Sequence, residues 1–252
     1  MEFTLRVYDE VTSTNEMVKR AIEAGEPEGR AVFARMQSAG YGRQGRSWAS
    51  PAGGMYLSLL LRPRVPAAQL PTLSLALGVA VRRALVSLAP AMDARLRMKW
   101  PNDLVVAACD EVPRKICGIS LESHAGALCA GVGVNVARPA DAEVTATQGK
   151  FDPVYLSDCD VACMPEQVRD AVLVEIEGVY ERWLAEGFNS IEREFSAHAF
   201  LTGREVTVED LSGSVMVEGS VRGVDGFGRL LVCDAATGRV TAVSSGEAHI
   251  RR

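Results

Sequence analysis

The stretch MQSAGYGRQGRSWASPAGGMYLSLLL, residues 36–61, decides how the rest of the chain is interpreted. Its first half sets three closely spaced glycines, Gly40, Gly42 and Gly45, among arginines, and its second half is an apolar run over 55–61. The run predicts a buried strand, and the glycines predict a loop whose backbone N–H groups can approach a ligand closely. Arginine adds a planar set of donors suited to phosphate or carboxylate. The stretch therefore predicts an anion-binding loop attached to a rigid strand.

The charge distribution supports this interpretation. Residues 31–92 contain seven arginines and no Asp or Glu, so this segment carries +7, while the whole chain carries −5 and the remainder −12. An acidic protein with one cationic segment suits an anionic small molecule better than a long duplex, which favours a broad basic face. A solvated loop of ordinary arginines is the alternative that composition leaves open.

Length and composition predict a soluble globular protein with one large and one small domain, over 1–200 and 201–252. The chain has 252 residues, of which 48% are hydrophobic and 23% charged. Its first nine residues lack an apolar signal core, and its longest apolar stretch, 70–88, contains a proline and two arginines. We therefore expect a cytoplasmic protein without a membrane span.

The six cysteines are scattered, and their spacing is not that of a disulfide framework or a zinc site. We expect reduced, mostly buried thiols. Cys159 and Cys163 lie four residues apart, but no His or second Cys pair is near in sequence. A closed zinc site needs four ligands, so we assign no metal ligand. The cysteines are Cys109, Cys117, Cys129, Cys159, Cys163 and Cys233.

Hydrophobic periodicity predicts an α+β fold, with helices packed on a mixed, mainly antiparallel sheet. Ser13 and Glu16 form a capping-box pattern that begins a helix ending at Gly25. The Gly131–Gly133 pair lies inside a strand pattern and opens no helix, which argues against a dinucleotide-binding fold. The predicted strands are 3–8, 31–36, 55–61, 96–100, 104–106, 116–121 and 128–136, and the later helices are 70–88, 165–187 and 191–200. We predict an irregular loop over 137–163.

From Gly203 the pattern changes to short alternating strands separated by glycine turns. Four such strands, with a fifth at 247–250, predict a small SH3-like barrel. The four are 206–208, 215–224, 230–233 and 240–244.

Five segments identify a family resemblance through their order and spacing. They are VTSTN at 11–15, AGYGRQGR at 39–46, KWPND at 99–103, KICGISLE at 115–122 and GVGVN at 131–135. Together they resemble the biotin protein ligases, also called biotin–[acetyl-CoA-carboxylase] ligases, and residues 203–250 resemble the small C-terminal barrel of that family. The resemblance implies a class II synthetase-like fold of the biotin/lipoate ligase type.

The resemblance also implies a reaction. Such enzymes activate biotin with ATP to biotinoyl-5'-AMP and transfer biotin to a lysine of a biotin carboxyl carrier protein domain. A carboxylate must then approach the α-phosphorus of a polyanion, and a cation held about 4 Å away contributes on the order of 4 kcal/mol at an effective dielectric near 20. Arg43 and Lys115 are the candidates for this role. Mg²⁺ travels with ATP, and we assign it no protein ligand.

Other site residues follow from the matching motifs. A purely structural role is the alternative for two of these motifs. Ser13 to Asn15 could serve only to begin a helix, and Asn102 with Asp103 could form only a turn. Trp48 is expected to act as an apolar lid, and Asn135 to contact the nucleotide. The expected contacts with biotin or the adenylate are Ser13, Thr14, Asn15, Gln37, Gly40, Tyr41, Gly42, Arg43, Lys115 and Gly118, with Arg46, Trp48, Lys99, Asn102, Asp103 and Asn135 as a second group.

The glycine segment departs from the family pattern at two positions. The family loop commonly reads GRGRRG, whereas Tyr41 and Gln44 stand here in place of the first and third arginines. The resemblance therefore implies that a donor and a positive charge are lost beside the ligand.

Three alternatives stay open at this point. A lipoate protein ligase shares the broader fold and the adenylation chemistry, and a non-catalytic biotin-binding relative would keep the pocket alone. A biotin-sensing repressor would need a DNA reader, and only a dozen residues precede the STN turn. We expect no DNA or membrane partner and leave a homodimer open.

Overall fold

The larger sheet of the protein is mixed and mainly antiparallel. The structure is a computed structural model that describes residues 1–107, 112–139 and 151–251. Within these ranges the sheet has seven strands, β1 Thr4–Val11, β2 Arg30–Gln37, β3 Gly54–Leu61, β4 Leu96–Lys99, β5 Asp103–Val106, β6 Arg114–His124 and β7 Ala127–Asn135. Their order is β1-β2-β3-β7-β6-β5-β4, and among the described strands of this sheet only β1 and β2 pair in parallel. This sheet confirms the predicted mixed, mainly antiparallel architecture.

Four helices are α1 Thr14–Glu23, α2 Thr72–Leu88, α3 Pro165–Glu186 and α4 Asn189–Ala197. Helix α3 begins at a proline and ends before Gly187, whose φ of 71° suits glycine, as predicted. Helix α4 ends earlier than predicted, because residues 198–200 bond to the sheet instead. The Met98 backbone N–H donates to the His198 carbonyl, and the Phe200 N–H donates to the Met98 carbonyl.

Strand β3 lies between two packed layers, and all eight of its residues are buried. Leu57 and Leu59 pack in the larger core, which includes residues of α2 and α3. Leu60 packs on the opposite face with Val18 and Ile22 of α1. Because side chains alternate along a strand, Ser58 faces the same side as Leu60 and so lies under the start of α1.

The start of α1 differs from the predicted capping box. Ser13 is the N-cap residue, but its side chain makes no capping hydrogen bond. The Thr14 backbone N–H is bound instead by the Gln37 side-chain oxygen at 2.8 Å. Glu16 turns away to the Tyr41 hydroxyl. The capping-box prediction was therefore wrong, because the Ser13 side chain makes no capping hydrogen bond and the Glu16 carboxylate bonds to a residue distant in sequence.

The C-terminal sheet contains five antiparallel strands, which confirms the predicted number. They are β8 Glu205–Glu209, β9 Val215–Val224, β10 Leu230–Asp234, β11 Val240–Val243 and β12 Glu247–Ile250, in the order β11-β10-β9-β8-β12. The indole N–H of Trp100 donates to the Gly228 carbonyl at 2.9 Å, and the Trp100 side chain is buried. Gly228 lies in the turn between β9 and β10, so the motif KWPND contacts the C-terminal region directly.

Other sequence predictions concern absent features. Cys117, Cys129, Cys159, Cys163 and Cys233 are free thiols. Over the described ranges, no group of side chains is arranged to hold a metal ion. Within the same ranges, no helix has the length and apolar character that a membrane crossing requires. Cys109, the acidic break at 110–111 and residues 140–150 of the predicted loop lie outside the described residues.

Replacing Trp100 with phenylalanine tests its contact with the turn between β9 and β10. Trp100→Phe leaves the Gly228 carbonyl without its donor, and we expect the free energy of unfolding to fall by about 2 kcal/mol. Chemical denaturation followed by circular dichroism measures this loss. Val240→Ala, at an exposed position of β11, is the control and should stay within about 0.5 kcal/mol of wild type. An unchanged midpoint for Trp100→Phe would contradict the importance of this contact.

Candidate active site

A cleft opens beside α1, above strands β3, β6 and β7, with an empty volume of about 1160 Å³ when open solvent is included. Strand register sets its floor. One row across the sheet is Ser58, Gly131 and Ser120, and the neighbouring row places Gly133 beside Gly118. The glycines leave the backbone bare, so a ligand or a side chain can lie directly on the sheet.

One end of the cleft is a cluster of neutral polar side chains that bond to one another. The Ser58 hydroxyl lies 2.7 Å from the Thr14 hydroxyl and 2.6 Å from the Asn15 oxygen. The Asn15 amide donates to Ser120 at 3.2 Å. Gln37 accepts from the Thr14 N–H and hydroxyl and donates to Ser50. Because buried polar groups are costly unless paired, this network fixes the side chains around the ligand space.

Residues 39–50, here called the glycine loop, form a small hairpin over the cleft. The Trp48 backbone N–H donates to the Gly40 carbonyl at 2.9 Å, and the Gly42 backbone N–H donates to the Arg46 carbonyl at 2.8 Å. A Cβ at position 40 would lie 2.4 Å from the Ser50 hydroxyl, so only glycine fits there. The hairpin presents Arg43 near its tip.

Trp48 lies on the bare glycine floor. A Cβ placed on Gly133 would come within 2.8 Å of the indole nitrogen, and one on Gly118 within 3.0 Å of the ring. The ammonium of Lys115 lies 5.1 Å from the Trp48 ring centroid, within cation–π range. The indole N–H is buried and has no acceptor among the described residues. The predicted lid residue is therefore already seated in the cleft, with one donor to offer.

The other end of the cleft carries two cations. The Lys115 ammonium lies 2.7 Å from an Asp103 carboxylate oxygen. The Arg43 guanidinium donates to the Asn102 side-chain oxygen at 3.1 Å. Burial lowers the pKa of Arg43, and the Asp103 carboxylate opposes this shift. Asn102 and Asp103 thus form more than a turn, because each holds one of the two predicted catalytic cations.

Two further cations lie at the rim. Arg46 forms an ion pair with Glu247 of strand β12, so the glycine loop contacts the C-terminal sheet. The ammonium of Lys99 lies 5.1 Å from the ring centroid of Phe151. The C-terminal region therefore contributes side chains to the cleft.

Most predicted site residues line this cleft, but three do not. Ser13 is buried at the start of α1 and only its carbonyl is used, by the Met17 N–H. Gly40 packs against Ser50, and the Asn135 side chain donates to the Lys115 carbonyl at 3.2 Å. Asn135 therefore holds the backbone of Lys115. The site residues predicted from the sequence that do line the cleft are Thr14, Asn15, Gln37, Tyr41, Gly42, Arg43, Arg46, Trp48, Lys99, Asn102, Asp103, Lys115 and Gly118.

Sequence reasoning missed several lining residues. Ser120 and Phe151 belong to this group, as do Glu247 and His249 of β12. Ser58, which supports Thr14 and Asn15, was also missed. A lone serine inside the apolar run GMYLSLLL was the available signal for Ser58, because a buried hydroxyl needs a partner. No local pattern marks Glu247, since its role arises from contact with a loop 200 residues earlier.

A methyl group at Gly133 tests the seat of Trp48. Gly133→Ala should displace the indole, because the new Cβ would lie within 3.0 Å of two ring atoms. Acrylamide quenching of the tryptophan fluorescence should therefore increase, since Trp100 and Trp183 are buried elsewhere. Gly178→Ala is the control, because a Cβ there meets no atom within 4 Å. Equal quenching in both variants would contradict this placement of Trp48.

Comparison with known proteins agrees with this geometry. The biotin/lipoate A/B protein ligase family matches residues 7–137, and the biotin protein ligase C-terminal domain matches residues 201–250. A biotin–[acetyl-CoA-carboxylase] ligase of Mycobacterium tuberculosis is 33% identical over 254 residues, covering 98% of this chain and 89% of its own length. One from Paracoccus denitrificans is 33% identical over 211 residues, covering 80% of this chain and 82% of its own.

Solved structures give the same result. The biotin protein ligase of Aquifex aeolicus in complex with biotin and ATP superposes with a TM-score of 0.81 at 27% identity, covering 99% of each chain. The sequence matches span both sheets, and the second is to a domain described as the C-terminal domain of biotin protein ligases. The chain belongs to the biotin/lipoate A/B protein ligase family and, within it, to the biotin protein ligases.

Proposed function

We propose that this protein activates biotin with ATP to biotinoyl-5'-AMP and transfers biotin to a lysine of a biotin carboxyl carrier protein domain. The observation that carries this proposal is the cleft with two unlike ends. Lys115 and Arg43 meet at one end, the neutral polar cluster lies at the other, and Trp48 on the glycine floor lies between them. This arrangement suits a ligand with a polar neutral head, an apolar chain and an anionic tail.

In the first step, a biotin carboxylate oxygen attacks the α-phosphorus of ATP. A mixed anhydride forms as the bond to pyrophosphate breaks. Both reactants are anions, and cations already fixed beside the reacting oxygens lower the repulsion without reorganising during the step. Lys115 and Arg43 are held for this role by Asp103 and Asn102.

In the second step, a neutral lysine amine of the acceptor attacks the acyl carbon. The amide forms as the acyl–oxygen bond breaks, AMP leaves with the electron pair and the amine releases a proton. The anhydride must be protected from water until the acceptor arrives. Trp48 and the glycine loop lie over the cleft that would hold the anhydride and can shield it from water.

The polar end suits the ring system of biotin. Thr14 and Asn15 line the cleft, and their hydroxyl and amide groups match a cyclic urea that both donates and accepts hydrogen bonds. The Gln37 oxygen is occupied by Thr14 and its nitrogen reaches Ser50, so Gln37 acts mainly by holding Thr14 in place. Ser58 supports both Thr14 and Asn15 in the same way.

The nucleotide would lie near Lys99 and Phe151. The Phe151 ring offers a face on which an adenine base can stack, with Lys99 beside it for a phosphate. Two carboxylates line the cleft among the described residues, Asp103 and Glu247, and each is paired with a cation. Mg²⁺ would therefore enter with ATP and keep most of its water ligands.

Residues 1–200 would form the catalytic domain and 201–252 the C-terminal domain. Two observations support a reducing, cytoplasmic location. The described cysteines are free thiols, and the proposed reaction needs ATP. Arg35, Arg82 and Arg83 are paired with acidic side chains, which supports the absence of a DNA partner.

Mass spectrometry of the acceptor tests the function as a whole. Purified protein, Mg-ATP and an apo biotin carboxyl carrier domain should give a biotin-sized mass gain on one lysine when biotin is present. A parallel reaction with lipoate and a lipoate carrier domain tests the alternative ligase. Activity in that reaction alone would contradict the proposal.

Removing the Lys115 ammonium tests the first step. Lys115→Ala should reduce biotin-dependent exchange of pyrophosphate into ATP by about 10³-fold, because a cation near the reacting oxygens is lost. Lys115→Arg should retain part of the activity. Arg239→Ala, at an exposed turn of the C-terminal sheet, should behave as wild type. Near-normal exchange in Lys115→Ala would remove this residue from the mechanism.

A further inference from the structure

Tyr41 stands where the family loop commonly has an arginine, and its hydroxyl has two charged partners outside the cleft. It donates to a Glu16 carboxylate oxygen at 2.6 Å and accepts from the Lys19 ammonium at 2.8 Å. The same ammonium lies 5.2 Å from the Tyr41 ring centroid. Tyr41 thus ties the base of the glycine loop to helix α1.

The Lys19 ammonium continues this chain of contacts to strand β6. It lies 2.7 Å from one carboxylate oxygen of Glu122, and the Lys19 side chain is only 19% exposed. The other Glu122 oxygen accepts from the Asn15 side-chain amide at 3.1 Å. Glu122 therefore connects a lysine behind the cleft with an asparagine inside it.

Glu122 also decides which way the Asn15 amide points. A carboxylate can only accept hydrogen bonds, so the Asn15 nitrogen must face Glu122 and its oxygen must face the Ser58 hydroxyl. Asn15 is 3% exposed and lines the polar end of the cleft. The orientation of its amide determines which hydrogen bonds remain for a ligand.

The charged residues in this series of contacts suit a neutral phenol at position 41. Glu16, Lys19 and Glu122 lie outside the lining of the cleft, and they contact it through Tyr41 and Asn15. Burial and the hydrogen bond to Glu16 raise the pKa of Tyr41 to about 12, and the phenol therefore keeps its proton. An arginine at position 41 would offer Lys19 no acceptor and would add a second cation beside it.

We propose that Tyr41, Lys19 and Glu122 are positioning residues that couple the glycine loop to Asn15, and thereby set the affinity of the cleft for the biotin ring. This inference rests on the proposed function. Tyr41 stands here in place of the family's loop arginine, and its hydroxyl bonds to α1. The change at position 41 therefore removes a positive charge and adds a contact between the glycine loop and α1.

A double-mutant cycle tests the coupling. The dissociation constant of biotin is measured by titration calorimetry for wild type, Tyr41→Phe, Glu122→Gln and the double variant. Each single change should weaken biotin binding about tenfold. The double variant should bind about as weakly as the weaker of the two single variants, because both changes interrupt the same series of hydrogen bonds. The KM for biotin should rise by a larger factor than kcat falls, and Tyr41→Arg should bind biotin no more tightly than Tyr41→Phe.

Matched controls separate coupling from lost stability. Tyr180→Phe removes a 2.6 Å hydrogen bond to Glu28, and Glu194→Gln weakens an ion pair with Arg83, both away from the cleft. Whatever their effect on the melting temperature, these variants should leave the dissociation constant of biotin unchanged.

Two results would overturn the coupling while biotin still binds to wild type. One is an unchanged dissociation constant in both single variants, and the other is a double variant whose loss equals the product of the single losses. A wild-type protein that binds no biotin would instead refute the proposed function, and this inference with it.

Discussion

The cleft depends on the close approach of Trp48 to the backbone of Gly118 and Gly133. Side chains at these positions would meet the indole at 3.0 Å and 2.8 Å, so the lid can lie on the floor only where the strands are bare. The register of β3, β6 and β7 brings those bare positions next to the polar row of Ser58 and Ser120. The sheet thus supplies both a smooth surface and a set of hydrogen-bonding groups, and α1 closes the polar end.

The two ends of the cleft divide the chemistry. Neutral groups at the α1 end can recognise a ring without adding charge, whereas Lys115 and Arg43 concentrate positive charge where a carboxylate and a phosphate must meet. Each cation is held by a neighbour in the motif KWPND, and Trp100 of the same motif contacts the turn between β9 and β10 of the C-terminal sheet. Arg46 of the glycine loop also pairs with Glu247 of that sheet. Loop, motif and C-terminal region are therefore mechanically connected around one site.

Much of this arrangement could be predicted from the sequence. The glycine segment and the GVGVN strand were visible because glycines interrupt an otherwise β-prone pattern, and α3 because proline begins it and glycine ends it. The capping box failed, because Glu16 accepts from the distant Tyr41 hydroxyl and the Ser13 side chain makes no capping hydrogen bond. The acid-free segment also misled in part, since Arg82 and Arg83 pair with acids far from the cleft. Contacts between residues distant in sequence, such as Tyr41 with Glu16, leave no periodic signal.

The central claim is that this cleft makes and retains biotinoyl-5'-AMP before any acceptor arrives. Native mass spectrometry of the protein, after incubation with Mg-ATP and biotin and removal of free ligand, measures this directly. We predict one adduct per chain with the mass of biotinoyl-5'-AMP, and no adduct when ATP is omitted. A protein that carries no adduct with biotin, or carries one only when lipoate replaces biotin, would contradict the account.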